Sequence, residues 1–159
     1  MEKNLEAQDR VFMQAALDEA RKALSHHDVP VGAVIVRDSH IIGRGCNQRE
    51  LLQDPTAHAE MIALTAAATT VGRWRLDACT MYVTLEPCAM CAGALILARL
   101  ARLVYGAADE KAGACGSLFD LHADPRLNHR VPTTTGVLAD ESAALLRAFF
   151  RSRRNSKGC

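Results

Sequence analysis

Residues 79–98 read CTMYVTLEPCAMCAGALILA, and this stretch decides the fold class of the chain. Cys79 to Leu85 alternates in polarity as a β-strand does. Pro87 then favours the start of a helix, because proline fits the first helical turn, and the apolar face of that helix continues as far as Ala98. A strand that leads directly into a helix predicts a layered α/β protein.

The rest of the chain continues this alternation of helices and strands. Apolar residues at helical spacing predict a first helix over residues 8–25. The β-branched run Val31–Val36 and the segment Ile41–Gly45, joined by the turn-forming pair Asp38-Ser39, predict a hairpin. The remaining predicted elements are a helix over 57–68 capped by Thr56, a strand over 103–105 ended by Gly106, a weaker strand over 133–138 and a last helix capped by Asp140. We therefore expect a three-layer α/β/α sandwich around one mixed sheet of about five strands, whose strand order the periodicity does not reveal.

Length and composition agree with this fold. The chain has 159 residues, of which 49% are hydrophobic, enough for the core of a single domain. Nowhere do 18 uncharged apolar residues follow one another, and the charged residues 1–10 do not resemble a signal peptide. We expect a cytoplasmic protein without a membrane segment. In that reducing compartment the six cysteines are expected as free thiols or metal ligands.

Charge is distributed unevenly. The formal net charge of +1 says nothing about a nucleic-acid partner. From residue 147 onward, however, only basic residues occur among the charged ones: Arg147, Arg151, Arg153, Arg154 and Lys157. Such a cluster either binds an acidic partner or is a solvated helix end whose cations favour the helix dipole. The sequence leaves both interpretations open.

Two motifs carry the chemistry. Cys88 and Cys91 are spaced i and i+3 at a predicted helix start, so their thiol groups project to one side, and the helix N-terminus favours thiolates. His58 opens the other predicted helix. Two thiolates and one imidazole suit zinc, and a catalytic zinc ion keeps its fourth position for water. We therefore predict one zinc ion, bound by His58, Cys88 and Cys91.

Glu60 is the predicted catalytic residue. It lies two positions beyond His58, close enough to reach a water molecule on the metal without being a ligand. Zinc lowers the pKa of such a water to about 7, and one carboxyl group can then deliver protons to a ring nitrogen and to a leaving amine. H-x-E followed by P-C-x-x-C is typical of zinc deaminases of nucleobases.

Three other interpretations compete with catalysis. A closed structural zinc site would need a fourth protein ligand, but the remaining cysteines (Cys46, Cys79, Cys115 and Cys159) lack partners at ligand spacing. Cys79 is expected to pack as a small hydrophobe and Cys159 to lie in a mobile tail. A redox role for Cys88 and Cys91 leaves His58 and Glu60 unused. A zinc-stabilised RNA-binding module without catalysis is the third possibility.

Several longer segments resemble the bacterial tRNA-specific adenosine deaminases over roughly residues 8–154. They are VPVGAV (29–34), DPTAHAE (54–60), YVTLEPC (82–88), CAGA (91–94), GACGSL (113–118), NHRV (128–131) and the closing ADE to FFR (139–151). The resemblance implies a cytidine-deaminase-like fold in one domain over residues 1–159, with a flexible tail over 155–159. It also implies a homodimer and conversion of the wobble adenosine in the anticodon loop of an arginine tRNA to inosine.

The same resemblance suggests substrate contacts. Asn47 matches a residue that hydrogen-bonds the flipped adenosine, Asp109 one near the sugar of that nucleotide, and Phe149 an aromatic contact in the anticodon loop. Arg151 and Arg153 would hold phosphates. Each has a structural alternative, since Asn47 and Asp109 also suit turns and Phe149 also suits a core. Cys46, Gln48 and Ala108 depart from the family pattern, which has tryptophan, arginine and arginine at these positions.

A deaminase of a free base or nucleoside, such as guanine or cytosine, is the main alternative substrate class. It would share His58, Glu60, Cys88 and Cys91, but it would not need the basic C-terminal end.

Overall fold

A five-stranded sheet with the strand order β2-β1-β3-β4-β5 forms the centre of the computed structural model, which describes residues 1–157. The strands are β1 (Gly32–Arg37), β2 (His40–Cys46), β3 (Thr80–Leu85), β4 (Arg102–Ala107) and β5 (Thr133–Thr135). β1 runs antiparallel to β2 and β3, whereas β3, β4 and β5 are parallel. The predicted mixed sheet of five strands is confirmed.

Helices cover both faces of this sheet. They are α1 (Glu2–Lys22), α2 (Arg49–Leu52), α3 (Ala59–Val71), α4 (Ala89–Leu97) and α5 (Ala139–Lys157), with 3₁₀ turns at Ala23–His26 and Leu121–Ala123. Alternate residues of β1 serve the two faces, as the strand period requires. Ala33 and Ile35 belong to the core under α3 and α4, while Val34 and Val36 pack with α1. The chain is therefore the predicted three-layer α/β/α sandwich.

Two glycines allow the layers to approach closely. A Cβ on Gly43 of β2 would lie 2.5 Å from the carbonyl oxygen of Ala63 in α3. A Cβ on Gly106 would lie 2.6 Å from the hydroxyl of Ser142 in α5. The prediction that Gly106 ends a strand was wrong, because β4 continues through it to Ala107. Gly106 allows α5 to pack closely against β4 and does not end the strand.

Several predicted boundaries were wrong as well. α1 begins at Glu2, because good helix formers over residues 2–7 extend a helix whose exposed start has no apolar periodicity. Thr56 does not cap α3. Its hydroxyl donates to Asp54 Oδ1 at 2.8 Å, and the cap position belongs to His58. Asp140 lies within the first turn of α5.

The C-terminal ends of β5 and α5 also differ from the prediction. β5 stops at Thr135, because Gly136 and Leu138 adopt positive φ angles of 81° and 52°. α5 continues to Lys157, so residues 155–157 of the expected flexible tail are helical. Gly158 and Cys159 lie outside the described residues. Within residues 1–157, no helix has both the length and the apolar character that crossing a bilayer requires.

A buried polar network fastens α1 to the sheet. Asp9 is only 3% exposed and accepts two hydrogen bonds from Arg102 of β4, at 2.8 and 2.7 Å, and one from the Tyr82 hydroxyl at 2.9 Å. Arg102 also donates to Thr134 Oγ1 at 2.8 Å. Burial and the Asp9 hydrogen bond raise the pKa of Tyr82 above its usual range. The network joins α1, β3, β4 and β5.

Arg102→Ala is therefore expected to destabilise the fold strongly. Removing one partner of a buried ion pair costs about 3–5 kcal/mol, because the remaining charge stays buried without compensation. Chemical denaturation followed by circular dichroism measures the loss. Arg75→Ala is the matched control, since the ion pair of Arg75 with Asp77 is exposed and should contribute little. Equal effects of the two substitutions would contradict this account.

Candidate metal centre and substrate pocket

Two helix starts bring the predicted ligands together. His58 is the N-cap residue of α3 and Cys88 the N-cap residue of α4, and both have extended backbone conformations. Cys91 lies one turn into α4, where it is fully buried. The ligand atoms of His58, Cys88 and Cys91 all lie within 4.8 Å of one another. Their position at helix N-termini favours the negative charge of thiolates.

The distances fit a tetrahedral zinc site. His58 Nδ1 lies 3.6 Å from Cys88 Sγ and 3.5 Å from Cys91 Sγ. Zinc–nitrogen and zinc–sulfur bonds of about 2.1 and 2.3 Å at a tetrahedral angle place nitrogen and sulfur about 3.6 Å apart. Both nitrogen–sulfur distances therefore match tetrahedral zinc, and no other group of three His, Cys, Asp or Glu ligand atoms converges in residues 1–157.

Hydrogen bonds among the three candidate ligands, together with burial, shift their pKa values in different directions. A hydrogen bond from Cys91, and a further one from His58, outweigh burial and lower the pKa of Cys88 to about 3. The same bond to Cys88, together with burial, raises the pKa of Cys91. The bond to Cys88 also raises the pKa of His58, although burial opposes it. Cys88 is thus the more acidic of the two thiols.

Glu60 adjoins this centre without belonging to the ligand set. It is 4% exposed in the first turn of α3, and burial raises the pKa of its carboxyl group, an effect that hydrogen bonds, including one with Cys91, partly offset. A carboxyl group with a raised pKa can both accept and hold a proton near neutral pH. This property is the one that a proton-transferring residue requires.

A pocket of about 190 Å³ opens over these residues. It is smaller than the cavities of about 300–1,000 Å³ that hold drug-sized ligands, so its size fits a single nucleobase. The lining residues are Val29, Val31, Asn47, Arg49, His58, Ala59, Glu60, Leu85, Glu86, Cys88, Asp109 and Ala112. Apolar walls with a few polar groups beside a metal site are typical of an enzyme pocket.

Comparison with known proteins agrees with this chemistry. Residues 7–154 match the MafB19-like deaminase family. The chain is 46% identical over 150 residues to the tRNA-specific adenosine deaminase of Bacillus subtilis (strain 168), which covers 94% of this chain and 93% of the relative. The chain belongs to the tRNA-specific adenosine deaminase family. Its resemblance to that family and its identity as a deaminase are thereby confirmed.

Solved structures that are similar to this chain come from two kinds of deaminase. A structure from a study of A-to-I editing by tRNA:A34 deaminases superposes with a TM-score of 0.82 at 44% identity, covering 85% of this chain and 98% of that one. The guanine deaminase of Nitrosomonas europaea superposes with a TM-score of 0.74 at 30% identity, covering 88% of this chain and 83% of that one. The cytidine-deaminase-like architecture of the family is confirmed.

Asn47 and Asp109, predicted as substrate contacts of this deaminase, both line the pocket. Asn47 is 7% exposed, donates to the Val29 carbonyl at 3.2 Å and accepts from the Arg49 amide at 3.3 Å. Asp109 Oδ1 accepts from the amides of Lys111 and Ala112 at 3.1 and 3.2 Å. Both residues therefore shape turns as well as the pocket wall.

The structure does not bring the other three predicted contacts into the pocket. Phe149 is 9% exposed, packs edge-on against Phe150 at 5.3 Å and lies under the Arg153 guanidinium. Arg151 and Arg153 line a groove of about 640 Å³ along α5. The other residues of this groove, which we call the basic groove, are Lys111, Leu146, Arg147, Phe150, Arg154 and Lys157. Phe150, not Phe149, is its aromatic member.

Sequence reasoning missed two charged residues of the pocket. Arg49 is exposed at the pocket rim and begins α2, a four-residue helix with no sequence signal of its own. It follows Gln48, the position where the family pattern has an arginine. Glu86 is buried at the end of β3. A charge directly after an apolar strand was the available signal for Glu86, and the neighbouring cysteine motif obscured it.

Zinc affinity should weaken as the pH falls. The raised pKa values of Cys91 and His58 mean that protons leave these side chains when the metal binds, and each proton released lowers the apparent affinity about tenfold per pH unit of acidification. Competition with a chromophoric chelator between pH 6 and 8 measures this slope. A pH-independent affinity would show that these side chains are not the ligands.

Proposed function

We propose that this chain hydrolyses adenosine to inosine at the wobble position of an arginine tRNA, with one zinc ion per subunit, as a homodimer in the cytoplasm. The convergence of His58, Cys88 and Cys91 with the buried Glu60 at the floor of a base-sized pocket is the observation that supports this most strongly. The high identity to tRNA-specific adenosine deaminases over nearly the whole chain supports the tRNA substrate.

The chain has the two components that hydrolytic deamination requires: side chains that can bind a metal ion and a carboxyl group that can carry protons. When bound, zinc supplies a water molecule whose pKa falls to about 7 and which is therefore nucleophilic at neutral pH. His58, Cys88 and Cys91 would hold the ion. Two buried carboxyl groups line the pocket, Glu60 and Glu86. Glu60 is the one that has a hydrogen bond with a ligand, Cys91, whereas Glu86 accepts its hydrogen bonds from residues 109–117.

Glu60 then moves the protons. As a carboxylate it takes a proton from the attacking water and passes it to N1 of the adenine ring, while a bond forms between C6 and the water oxygen. It takes the second proton from that oxygen and delivers it to the exocyclic nitrogen. The bond from C6 to nitrogen breaks, ammonia leaves and inosine remains. Burial of Glu60 keeps these protons from exchanging with bulk solvent.

The pocket walls suit a base that has left its stack. Val29 and Val31 provide apolar contact area, and the Asn47 amide provides a hydrogen-bonding group. An anticodon-loop base is unpaired, so moving it into the pocket costs less than flipping a paired base. Asn47 contacts the base, Asp109 the sugar and Phe149 the anticodon loop in this proposal. Phe149 would have to act from beneath Arg153.

The basic groove supports an RNA substrate over a free base. Both the C-terminal cations of α5 and Lys111 line this groove. Lys111 lies on the same short loop as the pocket residues Asp109 and Ala112. A nucleotide in the pocket would therefore have its neighbouring phosphates beside the groove. Arg151 and Arg153 hold those phosphates in this proposal, as arginine side chains do in single-stranded RNA complexes.

Deamination of free guanine is the second candidate. The 30% identity to the guanine deaminase of Nitrosomonas europaea favours it, and the pocket size admits a free purine. The basic groove has no role in that reaction.

A direct substrate comparison tests the proposal. The zinc-loaded protein is incubated with the anticodon stem-loop of an arginine tRNA and, separately, with guanine, cytosine and adenosine. We expect inosine at the wobble position and no turnover of the free compounds, since they lack the phosphates that the basic groove binds. Mass spectrometry of nuclease digests detects the product. Deamination of guanine without inosine in the RNA would refute the proposal.

Glu60→Gln provides the control for that assay. The amide keeps the shape of the side chain but cannot carry the protons, so we expect full zinc content and a loss of turnover of roughly 10²–10⁴-fold. An RNA-binding module without catalysis would show no functional change. Glu6→Gln, an exposed carboxylate on α1, is the matched substitution and should leave turnover intact.

Arg151→Ala tests the basic groove. Loss of one phosphate contact should reduce kcat/KM on the stem-loop several-fold and lower the slope of log kcat/KM against log salt by about 0.7. Arg73→Ala removes an exposed arginine outside the groove and should change neither value. An unchanged salt slope in Arg151→Ala would exclude this residue from RNA binding.

A further inference from the structure

Glu86 is a buried carboxylate that the proton transfers do not use. It lies between the end of β3 at Leu85 and the Pro87-Cys88 turn that leads into α4, and it is 2% exposed. It also lines the substrate pocket. No basic side chain pairs with it among the ion pairs of residues 1–157, so its charge must be satisfied in another way.

The hydrogen bonds to Glu86 all come from one loop. Oε1 accepts from the Asp109 amide at 3.1 Å and from the Ser117 hydroxyl at 2.5 Å. Oε2 accepts from the amides of Cys115 and Ser117 at 3.1 and 3.0 Å. The Glu86 side chain therefore binds both ends of the 109–117 loop.

Close packing confirms that the loop is built around this carboxylate. A Cβ on Gly113 would lie 2.2 Å from Glu86 Oε2, so only glycine fits there. The Ala114 amide donates to the Pro87 carbonyl at 2.8 Å, and Gly113 pairs with the metal ligand Cys88 as an isolated bridge. The loop is thus attached to the same turn that carries the metal ligand.

This loop forms part of the wall of the pocket that Asn47 also lines. Asp109 and Ala112 line the pocket, and Lys111 between them lines the basic groove. We infer that Glu86 is a positioning residue for the deaminase reaction, which holds the 109–112 wall at a fixed distance from the metal ligands and so sets the fit of the substrate nucleotide. This inference rests on the proposed function and adds a residue to it.

The role requires a carboxylate rather than an amide. A glutamine at position 86 has one acceptor oxygen, and its NH₂ group would face amide donors that can no longer be satisfied. At least one loop amide would therefore lose its partner, whichever way the glutamine amide turns, and the wall would move. A displacement of about 1 Å in a binding element costs on the order of 10²-fold in efficiency.

Two measurements on the zinc-loaded protein test the inference. The first is steady-state kinetics of Glu86→Gln on the anticodon stem-loop, with KM and kcat determined separately. The second is hydrogen exchange by mass spectrometry over residues 109–117. Asp9→Asn is the matched control, because it also removes a buried, hydrogen-bonded carboxylate, but on the α1 side of the sheet.

We expect Glu86→Gln to keep its zinc, to raise KM roughly 10- to 100-fold with a smaller change in kcat, and to exchange faster across residues 109–117. Asp9→Asn should lose stability and keep the wild-type KM and loop exchange. An unchanged KM in Glu86→Gln, or equal kinetic effects in the two variants, would reduce Glu86 to a structural residue and overturn the inference.

Ser117→Ala keeps the test decisive if Glu86→Gln does not fold. Ser117 is exposed, and the substitution removes only the hydroxyl bond to Oε1, so we expect a KM increase of about 3-fold and faster loop exchange. Wild-type values for both would overturn the inference. If the wild-type protein formed no inosine, the proposed function would fail, while the exchange measurement would still show whether Glu86 holds the loop.

Discussion

Three potential metal-ligand atoms from the starts of two separate helices converge to within 4.8 Å of one another, and the packing of these helices on the sheet determines that arrangement. His58 begins α3 and Cys88 begins α4, so the two helix starts have to face each other on one side of the sheet. The strand order β2-β1-β3 fixes their separation. Gly43 on β2 lets α3 settle close to the sheet, which brings the His58 ring within 3.6 Å of both thiols.

Buried carboxylates hold the parts that surround the metal site. Asp9 fastens α1 to the sheet through Arg102 and Tyr82. Glu86 fastens the 109–117 loop through backbone amides. Asp28, which is 1% exposed, accepts from the amides of Glu50 and Leu51 at 2.7 and 3.2 Å and so anchors α2. Each carboxylate exchanges solvation for several directed hydrogen bonds, an arrangement that specifies one geometry rather than many.

The sequence pattern predicted the features that depend on the spacing of neighbouring residues. The i, i+3 cysteines, His58 and the alternating strands follow from helix and strand periods, and the structure contains them. The pattern did not predict α2, because its four residues are held by Asp28 from more than twenty positions away. It did not distinguish Phe149 from Phe150 in α5, since the two are adjacent and only tertiary packing decides which one is buried. Glu86 was missed because the neighbouring cysteine motif obscured it and because its hydrogen-bond partners come from residues 109–117, more than twenty positions along the chain.

X-ray absorption at the zinc edge tests most directly whether the centre is catalytic. A site with an open position predicts two sulfur ligands at about 2.3 Å and two nitrogen or oxygen ligands at about 2.0–2.1 Å, from His58 and one water. The metal content should be one ion per chain. A shell with three or four sulfur atoms would mean that a further cysteine closes the site, and it would contradict the account of the centre as the place where water is activated.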